Sequence, residues 1–331
     1  MFFLVIMHSG KTNMLEAIFV CAIGKSFRTK NEKELIHLNQ NELTIEIEYQ
    51  KSDRDGKIKY EISDKKNIFL NGIKIKKLSE LLGNIHIVLF TPDDINILKG
   101  GPAERRKFLD IMIGQLRPNY VYNLNLFLKT LEQRNSYLRQ IKLENKNQDL
   151  LDIWDERLAD YAQIISQYRK EFIDKISKKI DHIHQEITEG KEKLLIEYVS
   201  QCSNKEDYLK LLKQNRNLDI IKGYTTKGIH RDDFRTYINN KEVNIYGSQG
   251  QHRTAILSLK LAELNVVYDE MGEYPILLLD DFMSELDEKR RKSFLNHIKD
   301  TQVIITCTDK IKVDNLNFNL YYVENGKINF K

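Results

Sequence analysis

The stretch Pro275-Ile276-Leu277-Leu278-Leu279-Asp280-Asp281 decides the fold. Four aliphatic residues follow a breaker and end in two carboxylates. An apolar run this short reads as a strand buried on both faces of a sheet. Open α/β sheets bind ligands at the carboxyl ends of their strands, which is where Asp280 and Asp281 fall. Strand-end carboxylates of this kind hold Mg²⁺ in phosphate-loop nucleotidases. The plainer alternative is a core strand closing in a solvated turn. It is weakened by a second motif near the start of the chain, Gly10-Lys11-Thr12.

A full phosphate loop is G-x-x-x-x-G-K-[ST] between a strand and a helix. Gly10, Lys11 and Thr12 fit its end, and Asn13 to Ala22 reads as the helix that follows. The helix start would offer backbone N–H groups to a phosphate, helped by the dipole. Lys11 would reach the β- and γ-phosphates and Thr12 the Mg²⁺. The first glycine of the pattern should stand at position 5, which is Val5. A β-branched residue does not tolerate the positive φ such a loop often needs. With one choice of codons and a preceding A, Met1–Ser9 read one frame earlier gives Asn-Val-Phe-Phe-Gly-Asp-Asn-Ala-Gln. That stretch completes the loop ahead of Gly10. A frameshift or start-site artefact is therefore expected at the 5′ end of the gene, with the N-terminal strand cut short.

The 331 residues allow one large domain or two ordinary ones. With 41% apolar and 30% charged residues and a net charge of +4, the composition is that of a globular protein. The charge permits nucleic-acid binding without arguing for it. Three widely spaced cysteines, Cys21, Cys202 and Cys307, suit a reducing compartment better than a disulfide frame or zinc site. No apolar run approaches the roughly 20 residues of a membrane span. Met1–Met7 lacks the basic start of a signal peptide. A cytoplasmic location without membrane contact is expected.

Between the two motifs, residues 43–50, 57–62 and 67–76 alternate polar and apolar as strands do, with a hairpin signal at Asn71-Gly72. Ile85–Phe90 is a further apolar strand. Pro102 opens a helix that buries Phe108, Leu109, Met112 and Ile113, leaving Arg105 and Arg106 on other faces. That arginine pair reads either as solvated charge or as a contact to phosphate or a partner. From 119 to 189 the chain has no proline. Trp154, Leu158, Tyr161, Ile165, Tyr168 and Phe172 recur at steps of four and three, and Ile173, Ile176, Ile180, Ile183 and Ile187 resume the rhythm. This is a packing seam on a helix paired with helix 119–142, not a cofactor box. Residues 150–188 would extend about 57 Å.

Further on, 193–199 reads as a strand and 205–216 as a helix. Gly228-Ile229-His230-Arg231-Asp232-Asp233 reads as a structural or phosphate-contacting turn. Gly247-Ser248-Gln249-Gly250-Gln251 precedes the helix 254–268. Ser248 is an ordinary N-cap or, with the glycine backbone and helix start, part of a second anion site. Phe282–Asp287 turns into helix 288–299. Gln302–Cys307 is the last buried strand, with Thr306 and Thr308 at its end, and 319–323 with 327–330 make a terminal hairpin.

Taken together, these motifs resemble the RecF family, which belongs with the SMC-like and ABC-type ATPases. The resemblance runs from Gly10 almost to the C-terminus. Its specific parts are Gly10-Lys11-Thr12-Asn13-Met14-Leu15-Glu16-Ala17, Gly24-Lys25-Ser26-Phe27-Arg28-Thr29, Lys99-Gly100-Gly101-Pro102 with Arg106-Lys107-Phe108-Leu109-Asp110, Gly228–Asp233, Ser248–Gln251 and Leu279–Asp287. It implies an α/β P-loop ATPase head, split in sequence, with an inserted helical arm. The expected bounds are 1–115 for the first part of the head, 116–222 for the arm and 223–331 for the second part.

The resemblance also implies roles. ATP and Mg²⁺ would be held by Gly10, Lys11, Thr12 and Asn13, with Thr12 and Asp280 on the metal. Ser248, Gly250 and Gln251 would be the signature and Asp287 part of the D-loop. Lys11 and Asp281 would be catalytic, Asp281 orienting the water. Such proteins are ATP-dependent DNA-binding proteins of recombinational repair. They dimerise on single- and double-stranded, gapped DNA and act with RecR and RecO to help RecA load. Two other readings compete. A DNA-binding scaffold with a defective nucleotide site is favoured by Val5. An ABC-transporter ATPase subunit would want a switch histidine where Thr306-Cys307-Thr308 stands, and gives no reason for an arm.

Overall fold

A computed structural model of the chain describes residues 2–7, 11–51, 54–144, 146–298, 300–307, 318–324 and 327–330. In chain order the elements are β1 (Phe2–Met7), α1 (Lys11–Ile23), β2 (Leu43–Gln50), β3 (Asp55–Ile62), β4 (Lys66–Leu70), β5 (Ile73–Lys74), α2 (Leu78–Leu81), β6 (Ile87–Phe90), α3 (Ile95–Lys99) and α4 (Pro102–Leu116). The middle of the chain holds α5 (Pro118–Glu144), α6 (Leu151–Thr188), β7 (Leu194–Val199) and α7 (Lys205–Lys222). The last part holds β8 (Asp233–Ile238), β9 (Lys241–Glu242), α8 (Val243–Tyr246), α9 (Gln249–Met271), β10 (Ile276–Asp280), α10 (Glu288–His297), β11 (Val303–Cys307), β12 (Phe318–Glu324) and β13 (Lys327–Phe330).

The chain divides into two compact units. The first is Met1–Ile95, His182–Lys191 and Arg253–Lys331; the second is Asn96–Asp181 and Glu192–His252. The second unit therefore takes in α4 and β7–β9 beside the helices expected of an arm. Specific pairing explains this grouping: Phe108 of α4 stacks edge-on against Phe234 of β8, and Arg105 pairs with Asp233.

The first unit is built on a sheet in the order β13-β12-β1-β11-β10-β6. β10 runs parallel to both neighbours, with Leu278 opposite Ile304 and Leu89. Leu277, Leu278 and Leu279 are fully buried, as a strand covered on both faces requires. The terminal hairpin β12–β13 is antiparallel. β2–β5 form a separate antiparallel sheet, turned at Asn71-Gly72, where both residues have positive φ.

In the second unit α6 buries Leu158, Ile165, Phe172 and Ile176, while Trp154, Tyr161 and Tyr168 are only half-buried. At the far end of the α5–α6 hairpin, Leu138, Ile141 and Leu151 pack together with Tyr137 and Trp154 against them. The buried face also carries charge that periodicity does not reveal. Arg134, fully buried, donates to Asp155 at 2.6 Å and to Asp219 and Thr225 at 2.8 Å. Arg169 donates to Tyr120 at 3.0 Å, to Asp110 at 2.9 Å and to the Ile229 carbonyl at 2.8 Å. Buried charges persist only when paired in this way.

Arg105 is neither solvated charge nor open to phosphate, and Arg106 is half-buried and tied to the same turn. Arg105 is 7% exposed and grips Asp233 with two nitrogens, at 2.6 and 3.0 Å, while a third reaches the Gly100 carbonyl. Arg106 donates to the Asp232 carbonyl at 2.8 Å. The motif Gly228–Asp233 is thus a structural turn locked to α4. Asp232 also accepts from Tyr198 and Ser200, and half-buried His230 contacts the Thr225 carbonyl at 3.0 Å. Burial pushes the His230 imidazole down to about 4, which keeps it neutral. Gly228 has φ +131°, and a Cβ there would fall 2.1 Å from the Tyr208 hydroxyl, so only glycine fits.

Candidate nucleotide site

Thr12 stands in the first turn of α1, and its hydroxyl donates to Asp280 Oδ1 at 3.0 Å. Thr306, next to the end of β11, donates to the same oxygen at 2.8 Å. Two hydroxyls, 268 and 26 residues away in sequence, therefore converge on one buried carboxylate at the carboxyl ends of parallel strands. A threonine hydroxyl beside a strand-end carboxylate is the donor set that suits Mg²⁺ bound to a nucleotide. Asp281 follows in the left-handed region at φ 48°, and its N–H donates to the Thr306 carbonyl at 3.2 Å. Aspartate is among the few side chains that tolerate this backbone, which turns the chain sharply out of the strand. Phe90, Phe282 and Phe294 stack behind it with centroids 4.8 to 5.9 Å apart.

Thr306 is the residue that the sequence placed only at the end of the last buried strand, with no role. Thr306→Val keeps the shape but strips Asp280 of a donor. It is expected to lower stability by about 1–3 kcal/mol in urea denaturation, whereas Thr306→Ser retains it. Equal stability of the two variants would mean that the hydroxyl carries nothing.

The segment Gly24–Thr29 folds onto α1. Ser26 bonds Glu16, and Arg28 donates to Asn13 Oδ1 at 2.9 Å and Glu16 Oε2 at 3.2 Å. This brings an exposed cation beside Asn13, one residue past Thr12. Gly10 and Thr308 lie outside the described residues, and Lys11 is the first residue of α1.

The cradle half of the site is different. Val5 lies within β1, opposite Thr306 on one side and Tyr321 on the other, and the strand continues to Met7. A phosphate loop needs these positions to leave the sheet and turn their N–H groups toward the ligand. The residues fit the metal side of a nucleotide site and do not fit a full cradle at positions 5–7.

The remaining motif residues stand as follows. Asp287 caps α10, accepting from the Arg290 N–H at 2.9 Å, and pairs with the Arg290 side chain. That N–H holds the Asp287 carboxyl below its usual range. Arg290 also donates to Thr254 Oγ1 at 2.9 Å. In the second unit Ser248 caps α9: its oxygen accepts from the Gln251 N–H at 3.2 Å, and its own N–H donates to Gln251 Oε1 at 2.9 Å. Gly250 lies in the first turn of that helix.

The family described as the RecF/RecN/SMC N-terminal domain matches residues 8–329. A DNA replication and repair protein RecF from Ruminiclostridium cellulolyticum is 43% identical, over 96% of this chain and 90% of the relative. The chain belongs to the RecF family. A RecF of Clostridium perfringens is 42% identical over the same shares. A solved structure of the recombination mediator protein RecF-ATP in the RecFOR pathway superposes with TM-score 0.93 at 36% identity, covering 100% of this chain and 91% of that one. The Smc head domain from Pyrococcus furiosus, at TM-score 0.53 and 17% identity over 98% of this chain and 88% of that one, shares the fold. The architecture is therefore the α/β ATPase head of RecF and SMC proteins. Among the described residues no helix is long and apolar enough to cross a membrane.

Proposed function

We propose that the chain is an ATP-dependent DNA-binding protein of recombinational repair and replication-fork maintenance. In this reading it dimerises on gapped DNA and, with RecR and RecO, helps RecA to load. The observation that carries it is the pair of hydroxyls, Thr12 and Thr306, converging on Asp280 in a chain of the RecF family. A relative of this family is described with ATP in the RecFOR pathway, which supports the same ligand and partners here.

In that reading Lys11 and the start of α1 hold the phosphates, and Thr12 and Asp280 hold the Mg²⁺. The metal spreads the β/γ charge when bound. Asp281 orients the attacking water, and its short side chain suits slow turnover. Ser248 of a second copy caps the nucleotide, so that ATP closes a dimer and hydrolysis opens it. A second reading has a specific observation behind it. β1 runs through Val5 to Met7, which favours a DNA-binding scaffold with an impaired nucleotide site.

Binding of a gapped duplex, followed by fluorescence anisotropy with and without ATP and Mg²⁺, tests the reading. DNA affinity is expected to fall linearly on a log–log plot against salt, because phosphate contacts release counterions. Lys25 and Arg28, both exposed, are the candidate contacts that remain once Arg105 and Arg106 are spent on Asp232 and Asp233. A flat salt dependence, or no DNA binding at low salt, would sink the proposal.

A further inference from the structure

A side-chain bond from Gln251 ties the signature turn to another part of the second unit: its Nε2 donates to Glu192 Oε1 at 2.9 Å. Glu192 stands just past the end of α6, after Glu189 and Gly190 with positive φ and two residues before β7. Gln251 Oε1 accepts the Ser248 N–H at 2.9 Å, the Gln251 N–H donates to Ser248 Oγ at 3.2 Å, and His252 Nδ1 contacts the Ser248 carbonyl at 2.8 Å.

The chemistry of this chain of bonds is directional. An ionised carboxylate only accepts, so Glu192 forces the NH₂ end of the Gln251 amide toward itself. The carbonyl end must then face Ser248, where a donor waits. With the amide reversed, the Gln251 NH₂ would meet the Ser248 N–H, donor against donor, and the reciprocal cap would fail. With it in place, Ser248 accepts its capping bond through one lone pair. Its hydroxyl hydrogen, which donates to no group among the described residues, is left to face outward from an exposed position. That is the state in which a serine at a helix start can donate to an anion.

We infer that Glu192 is a positioning residue for the signature: by fixing which end of the Gln251 amide faces Ser248, it holds the serine ready to donate to a phosphate oxygen. This rests on the reading of Ser248 as the cap of a nucleotide bound to a second copy. It adds that the segment leaving the long helix α6 sets the signature's geometry. In this reading Glu192 touches no nucleotide and acts on the signature through Gln251.

Two measurements on the full chain test it. The first is amide hydrogen exchange of the nucleotide-free protein. Glu192→Ala is expected to speed exchange of the Ser248 and Gln251 amides by about tenfold, the worth of a lost charge-assisted bond, while Glu192→Gln, which still offers an acceptor, does not. Unchanged exchange in Glu192→Ala overturns the positioning role whatever the signature does.

The second is sedimentation with a non-hydrolysable ATP analogue, using the chain whose phosphate loop is rebuilt by Val5→Gly, Ile6→Asp, Met7→Asn, His8→Ala and Ser9→Gln. Glu192→Ala is expected to weaken the nucleotide-dependent dimer about tenfold at unchanged monomer affinity for the analogue. Glu192→Gln restores it. Gln251→Glu sets two carboxylates face to face and weakens the dimer, and adding Glu192→Gln recovers it, because an amide then donates to the new carboxylate. Dimers of Glu192→Ala as stable as those of the parent overturn this inference and leave the trans reading standing. Failure of the rebuilt parent itself to dimerise removes that reading and the inference with it.

Discussion

The chain with its phosphate loop rebuilt, by the five substitutions at Val5 through Ser9, is expected to bind ATP at least about 100-fold more tightly than the chain as written. In the written chain, Val5 pairs with Thr306 and Tyr321, and β1 keeps its strand geometry as far as Met7. Backbone N–H groups held in a sheet cannot also point at a phosphate. A hydrogen bond to a charged group is worth about 1.5–3 kcal/mol, so losing two from the cradle costs about 3–6 kcal/mol. The Thr12–Asp280 pair lies outside the five substitutions and, in the proposed reading, offers the same metal side in both forms. Isothermal titration with ATP and Mg²⁺ measures the difference. Affinities within threefold of each other would mean that the phosphates are held without the loop, and would favour a start of α1 that suffices alone. No binding by the rebuilt chain would favour the scaffold reading.

In that rebuilt chain Ser248→Arg should abolish ATP-dependent dimerisation while leaving monomeric ATP affinity nearly intact. Ser248 caps α9 and presents its hydroxyl at the helix start, where anions are favoured. Thr12 and Thr306 each donate to Asp280 without it. A bulky cation in place of the hydroxyl removes the second wall from the γ-phosphate, and turnover should fall with the dimer. The cap itself is worth only about 0.5–2 kcal/mol, so the head should still fold, which circular dichroism checks. Dimers of Ser248→Arg as abundant as those of the parent would refute action in trans and leave Ser248 a plain helix cap.

Where physics acts over a few residues, the sequence could be read directly. The four aliphatics after Pro275 define β10, alternation defines β2 and β3, and Asn71-Gly72 defines a turn. Helix ends were read less well. α7 runs on to Lys222, where Gly223 closes it in the left-handed region, and α9 runs to Met271. Apolar periodicity marks the middle of a helix, not the point at which its last carbonyls find partners. The Asp280 carboxylate and the Thr12 hydroxyl, which the fold brings into a hydrogen bond, were both legible as candidates because each sits at the end of a short motif.

By itself, then, the sequence determined the strands, the long helices, the family and the motif residues at the strand ends, all of which depend on local pattern. Tertiary structure alone decided what the charged side chains do. Arg105 and Asp233 are 128 residues apart, Arg134 and Asp219 are 85, and Gln251 and Glu192 are 59. A charge has no periodicity that names its partner. Whether an arginine faces DNA or a buried carboxylate is set by which segments the fold brings within hydrogen-bond reach, and by the high cost of burying a charge without one. The same holds for Val5. Its sequence says that a glycine is missing, but only pairing with β11 and β12 turns the position into strand, because a β-branched residue with neighbours on both sides gains more from the ladder than from a loop.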